Sequence, residues 1–154
     1  MNHQLYRVFI VFAIIFSLIS CKDCYYIENE LHGVWQVTSI ERLSTGNIIE
    51  PAGRLYYMFQ RSMIKLCEKH LGIPESITSY NAHFDLITQD SIGMGYFRDD
   101  TTGEGDYVNH EAKVSLEKIH KFGFYQDYTV FHMQLSKNNL TLTSDSAQII
   151  LRRY

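Results

Sequence analysis

Seven histidines and seventeen acidic residues are the raw material for acid–base or metal chemistry in this 154-residue chain, and their spacing does not assemble it. His70, His83, His110, His120 and His132 are scattered, with no His-x-His or His-x-x-x-His pair to hold a metal from one strand or one helix face. His110 and Glu111 are adjacent, and neighbours on a helix do not share a face. No Gly-x-Ser-x-Gly elbow and no glycine-rich phosphate loop is present. Asp99, Asp100, Glu104 and Asp106 are the best material for calcium, but their intervals lack the pattern of a dedicated loop, and a solvated rim accounts for them. These residue types in this order give no catalytic residue, no metal set and no cofactor site, so the expectation is a protein that is not an enzyme.

The chemistry the sequence does offer is at a cysteine. In residues 1–20, Arg7 precedes an apolar run over 8–19, too short to cross a bilayer, which takes roughly 20 apolar residues. Leu18-Ile19-Ser20-Cys21 resembles a bacterial lipobox. That resemblance implies removal of residues 1–20 as a signal peptide, diacylation of the Cys21 thiol and a triacylated N-terminus, which satisfies the need for more than one chain in a stable anchor. Lys22, rather than aspartate, follows the cysteine, which leans towards the outer membrane; whether the protein then faces the periplasm or the cell surface stays open. Arg7 is the one charge lost, so acidic residues remain in excess, and nucleic acid, which selects clustered positive charge, is not an expected partner. Cys24 and Cys67 remain; an oxidising envelope permits a bond between them, and two thiols is the other reading.

These features need a scaffold. Residues 21–30 read as a tether and 31–154 as one domain of ordinary size. A first strand runs from 34 to about 42, with Trp35 and Val37 on one side. A turn follows at 44–47 and a break at 51–53. Residues 54–60 alternate Leu55, Tyr57 and Phe59 on one face. Residues 61–70 either continue as strand through Ser62, Ile64 and Leu66 or form a helical turn, and 71–74 end on a proline. Strands over 79–88 and 92–97 place Tyr80, Ala82, Phe84 and Leu86, then Ile92, Met94 and Tyr96, on their inward faces. Gly93 and Gly95 lie opposite, which suggests curvature or a close neighbour. Residues 98–109 form a polar loop, and 111–121 carry Ala112, Leu116 and Ile119 near helical spacing, a short helix over a barrel end. Residues 128–135 align Phe131, Met133 and Leu135; a turn at 136–139 offers asparagines suited to positive φ; strands over 140–143 and 148–154 close the chain. The class is all-β, mainly antiparallel, a meander closing into a barrel or sandwich with one short helix.

Gly33-x-Trp35 on a first strand resembles the opening motif of the lipocalin and calycin barrels. In that family the tryptophan closes the barrel base and an arginine near the C-terminus packs across it; Arg152 and Arg153 stand where that arginine would be. With the lipobox and the order of strands, the chain is similar to small lipocalin-like lipoproteins of gut-type Gram-negative bacteria. The resemblance implies a lipid-anchored envelope protein that binds a small amphipathic molecule in the cup. Tyr57, Phe59, Phe84, Tyr96, Phe131 and Met133 would line that cup, or pack a filled core, since an eight-stranded barrel has the size at which either occurs. A filled core would make the protein a structural or interaction module, an inhibitor or envelope-complex subunit working through its exterior. Asp90-Ser91-Ile92, Asp100-Thr101-Thr102 and Asp145-Ser146-Ala147 each resemble an O-glycosylation acceptor of such bacteria, which would place glycans on Ser91, Thr101 and Ser146.

Overall fold

The computed structural model describes residues 27, 29–70, 76–99 and 113–154. Nine antiparallel strands follow chain order: β1 (Gly33–Arg42), β2 (Asn47–Ile49), β3 (Leu55–Gln60), β4 (Met63–His70), β5 (Ser76–Thr88), β6 (Ser91–Asp99), β7 (Tyr128–Leu135), β8 (Asn139–Thr143) and β9 (Ala147–Arg153). Each pairs with its neighbour, except that β2 folds back on the end of β1 and β3 pairs with the start of β1. β9 returns to β1 over Trp35↔Arg153 to Arg42↔Ala147, so eight strands close a barrel with β2 as a flap outside the ring. Closure leaves the ring without an open edge, which protects the backbone from pairing with another chain.

Alternation fixes which side chains enter. Trp35, Val37 and Ile40 are buried on β1, and the shift from odd to even numbers follows from a bulge between Val37 and Ser39. Tyr57 and Phe59 enter from β3, Ile64 and Leu66 from β4, Tyr80, Ala82 and Phe84 from β5. Residues 61–70 thus take the strand alternative. A two-residue turn at Arg61 and Ser62, with Arg61 at φ +52°, reverses the chain before β4, and the Arg61 amide donates to His32 Nε2 at 2.8 Å. The proline break at 71–74 lies outside the described residues.

Two local expectations are corrected. The helix expected over 111–121 shrinks to α1 (Leu116–His120). Val114 donates its amide to the Phe97 carbonyl at 2.9 Å and Lys113 bridges Arg98, so the chain there is extended against β6 and tertiary pairing overrides helical propensity. Residues 111 and 112 lie outside the described region. In the turn between β7 and β8 the asparagines do not take positive φ. Ser136 closes that turn instead: its amide donates to the Asn139 carbonyl at 2.8 Å and its hydroxyl receives the Asn139 amide at 3.2 Å.

Candidate functional site

The barrel has two differently built ends. At the base, Trp35 is fully buried and its Nε1 donates to the Leu31 carbonyl at 2.8 Å. The Arg153 guanidinium sits 4.7 Å over the indole and donates to the Glu30 carbonyl. Arg152 points away, to Gln36 Oε1 at 3.3 Å, so of the two arginines only Arg153 crosses the tryptophan. Gly33 has open space where a Cβ would stand; what it supplies is φ +131°, a backbone angle that admits glycine most readily.

At the opposite end, α1 and the residues after it enter the mouth. Ile119, Phe122 and Phe124 are buried to 2 % exposure or less. Phe124 meets Tyr57 at 6.2 Å in a stacked arrangement and packs edge-on against Phe97 at 4.7 Å and Phe131 at 5.4 Å. Phe122 lies 6.1 Å from Tyr80. The Tyr57 hydroxyl donates to the Phe122 carbonyl; its complete burial pushes the phenol well above its ordinary pKa, so it is a neutral donor. Between the two phenylalanines, Gly123 runs its backbone against the wall at φ +88°, where a Cβ would lie 2.7 Å from Ile149 Cδ1.

Charged side chains fasten this segment to the rim. Lys118 reaches Asp99 at 3.8 Å, Lys121 pairs with Glu68, and Lys113 meets Asp127 at 2.5 Å. Arg42 stacks over Tyr125 at 4.8 Å. All of these clasps are at least partly exposed, so each contributes modestly and weakens with salt.

Five of the six aromatic or thioether positions read as inward do lie inside: Tyr57, Phe59, Phe84, Phe131 and Met133 are all at 4 % exposure or less. Tyr96 does not. It is 62 % exposed, because β6 carries a bulge: Gly95 stands opposite His83 and Arg98 opposite Asn81, leaving Tyr96 and Phe97 to share Ala82. The extra residue inverts the alternation, turns Tyr96 out and puts Phe97 in its place. Phe97, Phe122 and Phe124 were not singled out by spacing; the signal for the last two is the glycine between them, which lets a backbone enter a tight space. Gly93 and Gly95 have the close neighbour their position suggested, since a Cβ on either would collide with Tyr128 or with the Asp127 carbonyl.

Cys67 faces outward on β4, its Sγ 3.6 Å from Met58 Sδ; Cys21 and Cys24 lie outside the described residues, so the lipidation site has no structural account. Ser91 opens β6 with its hydroxyl 2.6 Å from Thr88 Oγ1, and Ser146 stands in the β8–β9 turn, half-buried. Thr101 lies outside the described residues. Among the described residues no three His, Cys, Asp or Glu side chains converge as a metal set.

A closed eight-stranded antiparallel meander, stoppered by tryptophan and arginine at one end and capped by a short helix at the other, defines a small calycin-type barrel. The chain belongs to the lipocalin-like domain family, whose pattern matches residues 14–154. It is similar in fold to a lipocalin-like protein from Bacteroides uniformis ATCC 8492, with TM-score 0.54 and 16 % identity over 81 % of this chain and 99 % of that one. It is also similar to an uncharacterized protein from Bacteroides eggerthii DSM 20697, with TM-score 0.59 and 18 % identity over 80 % and 99 %. No curated protein matches it significantly.

Proposed function

We propose that this is a non-enzymatic binding module, held in the cell envelope by lipid on Cys21 at the outer membrane, that takes a small amphipathic molecule into its barrel through the end capped by α1. One observation carries the reading: the rings packed against Tyr57, Tyr80, Phe97 and Phe131, those of Phe122 and Phe124, come from a connector and not from the wall. A connector clasped by exposed ion pairs can lift away, whereas a wall strand cannot without opening the ladder. An apolar chain would then replace the two rings against Tyr57, Phe59, Phe84, Phe131 and Met133. The Tyr57 hydroxyl, released from the Phe122 carbonyl, would orient a polar group of the ligand.

Mass spectrometry of small molecules that accompany the native protein from membranes tests this directly. The expected result is one amphipathic class retained by the native protein and lost in Tyr57→Ala and Phe131→Ala. Retention unchanged in both variants overturns the cup. The tight seat of Gly123 against Ile149 favours the competing reading, a filled barrel acting through its exterior, and that reading expects no retained molecule. The anchor is tested separately: a radiolabelled fatty acid should mark the native chain and fail to mark Cys21→Ala.

A further inference from the structure

The bulge that ejects Tyr96 builds something on the outer wall. Tyr96 holds φ +56°, a left-handed backbone that strains a non-glycine residue. Its amide is fixed to the Asp127 carbonyl at 2.7 Å, and its ring stacks on Tyr128, 5.7 Å between centroids and 28° between planes. Tyr128 in turn lies down on bare backbone: a Cβ on Gly93 would stand 1.9 Å from its hydroxyl. Gly93 thus lies beneath the Tyr128 hydroxyl, Gly95 lines the depression, and its wall is the pair of stacked phenol rings. Beside them opens a groove of about 370 Å³ on the outside of β5, β6 and β7, with Met63 of β4 at its edge.

Met63 and Ala82 add apolar lining, and the rest is polar and of both signs. Asn81, His83 and Asp85 project at alternate positions from β5, and Arg98 faces Asn81 from β6. No hydrogen bond or ion pair among the described residues ties down the side chains of Asn81, His83 or Arg98. Asp85 lies close enough to Tyr128 to raise its pKa, after the larger effect of burial, which keeps that phenol a neutral hydrogen-bond donor.

We propose that this groove is a saccharide-binding site, in which the face of a sugar ring lies on Tyr96 while Asp85, Asn81, His83 and Arg98 take its hydroxyls. A sugar ring is amphipathic face to edge: C–H groups on the flat, donors and acceptors around the rim. It matches an exposed aromatic face set beside a carboxylate, an amide, an imidazole and a guanidinium. A quaternary ammonium needs rings enclosing it from several sides and no cation nearby, and here the rings are stacked and Arg98 is adjacent. An apolar chain would use Met63, Ala82 and the ring face but would cover Asn81, His83, Asp85 and Arg98 without offering them a hydrogen bond. Arg98 extends the preference to sugars bearing a carboxylate, which a guanidinium can hold with two bonds. The inference does not depend on what the barrel interior holds.

The test uses the full chain in a zwitterionic detergent, since glycoside detergents would compete. It is applied to an array of neutral and uronic-acid oligosaccharides and titrated with methyl β-glucoside and galacturonate while the amide signals of Gly93, Gly95 and Tyr96 are followed. The expected result is retention on at least one saccharide, saturable shifts at those amides, and about tenfold weaker binding in Tyr96→Gly, the worth of one aromatic contact. Tyr96→Gly relieves the left-handed angle, so it keeps the fold and separates loss of the platform from loss of structure. Arg98→Ala should weaken galacturonate more than the glucoside. The proposal is overturned if no saccharide is retained and neither titrant shifts those amides, or if binding survives Tyr96→Gly.

Discussion

Arg153 and Trp35 are Cα partners across the seam that closes the barrel, and the guanidinium covers the indole at 4.7 Å while the indole N–H is spent on Leu31. The pair ties the last strand to the first at the base. Removing the guanidinium uncovers the indole and releases the Glu30 carbonyl. Arg153→Ala should therefore lower stability by about 1 kcal/mol, the size of a partly exposed cation–π contact, in urea unfolding followed by Trp35 fluorescence. Arg152→Ala, which loses only the contact to Gln36, should change it by less than about half of that. Equal effects would show that the seam does not distinguish the two arginines.

Gly95 faces the Asp127 carbonyl so closely that a Cβ would stand 2.1 Å from its oxygen. The obstacle is backbone, so it cannot rotate aside. Gly95→Ala should push β7 off β6 and cost roughly 2–4 kcal/mol, in the range of severe overpacking. Gly33→Ala meets no atom and carries only the strain of φ +131°, so it should cost about 1 kcal/mol. Thermal unfolding of the two variants side by side checks the order; Gly33→Ala as the worse of the pair would contradict it.

Much of this barrel was legible because alternation is a direct readout of a two-sided wall. Leu55, Tyr57 and Phe59, or Phe131, Met133 and Leu135, announce their face without help from the rest of the chain. What alternation cannot announce is where it breaks. The bulges after Val37 and at Tyr96 each cost one residue of phase, and nothing in Gly95-Tyr96-Phe97 says which aromatic goes in. That choice is made by β7, whose Asp127 carbonyl captures the Tyr96 amide. The plug was hidden for a related reason. Phe122 and Phe124 belong to no periodic element, so only the space they fill identifies them. The ion pairs of the mouth join residues up to 53 positions apart, Lys121 to Glu68, which spacing does not reveal.

Phe124 contacts Tyr57, Phe97 and Phe131 at once and has no exposed surface. Phe124→Ala should cost about 3–5 kcal/mol as a core truncation if the ring is simply packing. It should also leave a cavity lined by aromatic rings, and such apolar cavities stay dry and accept small apolar molecules. The informative measurement is thermal stability with and without a benzene-sized solute. A rise in midpoint in the variant and none in the native chain is the expected outcome, by binding linkage. No response in the variant would mean that the rim collapses into the space.

Tyr57 gives the interior a pH signature. Its phenol is fully buried and donates to the Phe122 carbonyl, and burial raises its pKa well above 10.0. Above pH 10 the unfolded chain releases this proton while the folded barrel keeps it. The stability it contributes is thus complete below pH 10 and is lost as pH climbs from there towards the folded value. Tyr80 and Tyr128 are also raised, so they add to the same decline. Tyr57→Phe should flatten part of the loss of stability between pH 10 and the alkaline limit. At neutral pH it should cost about 1–3 kcal/mol, because the Phe122 carbonyl is left buried without its donor. Urea midpoints of both chains from pH 7 to 11 separate the two effects, and parallel curves across that range would place the phenol in contact with water.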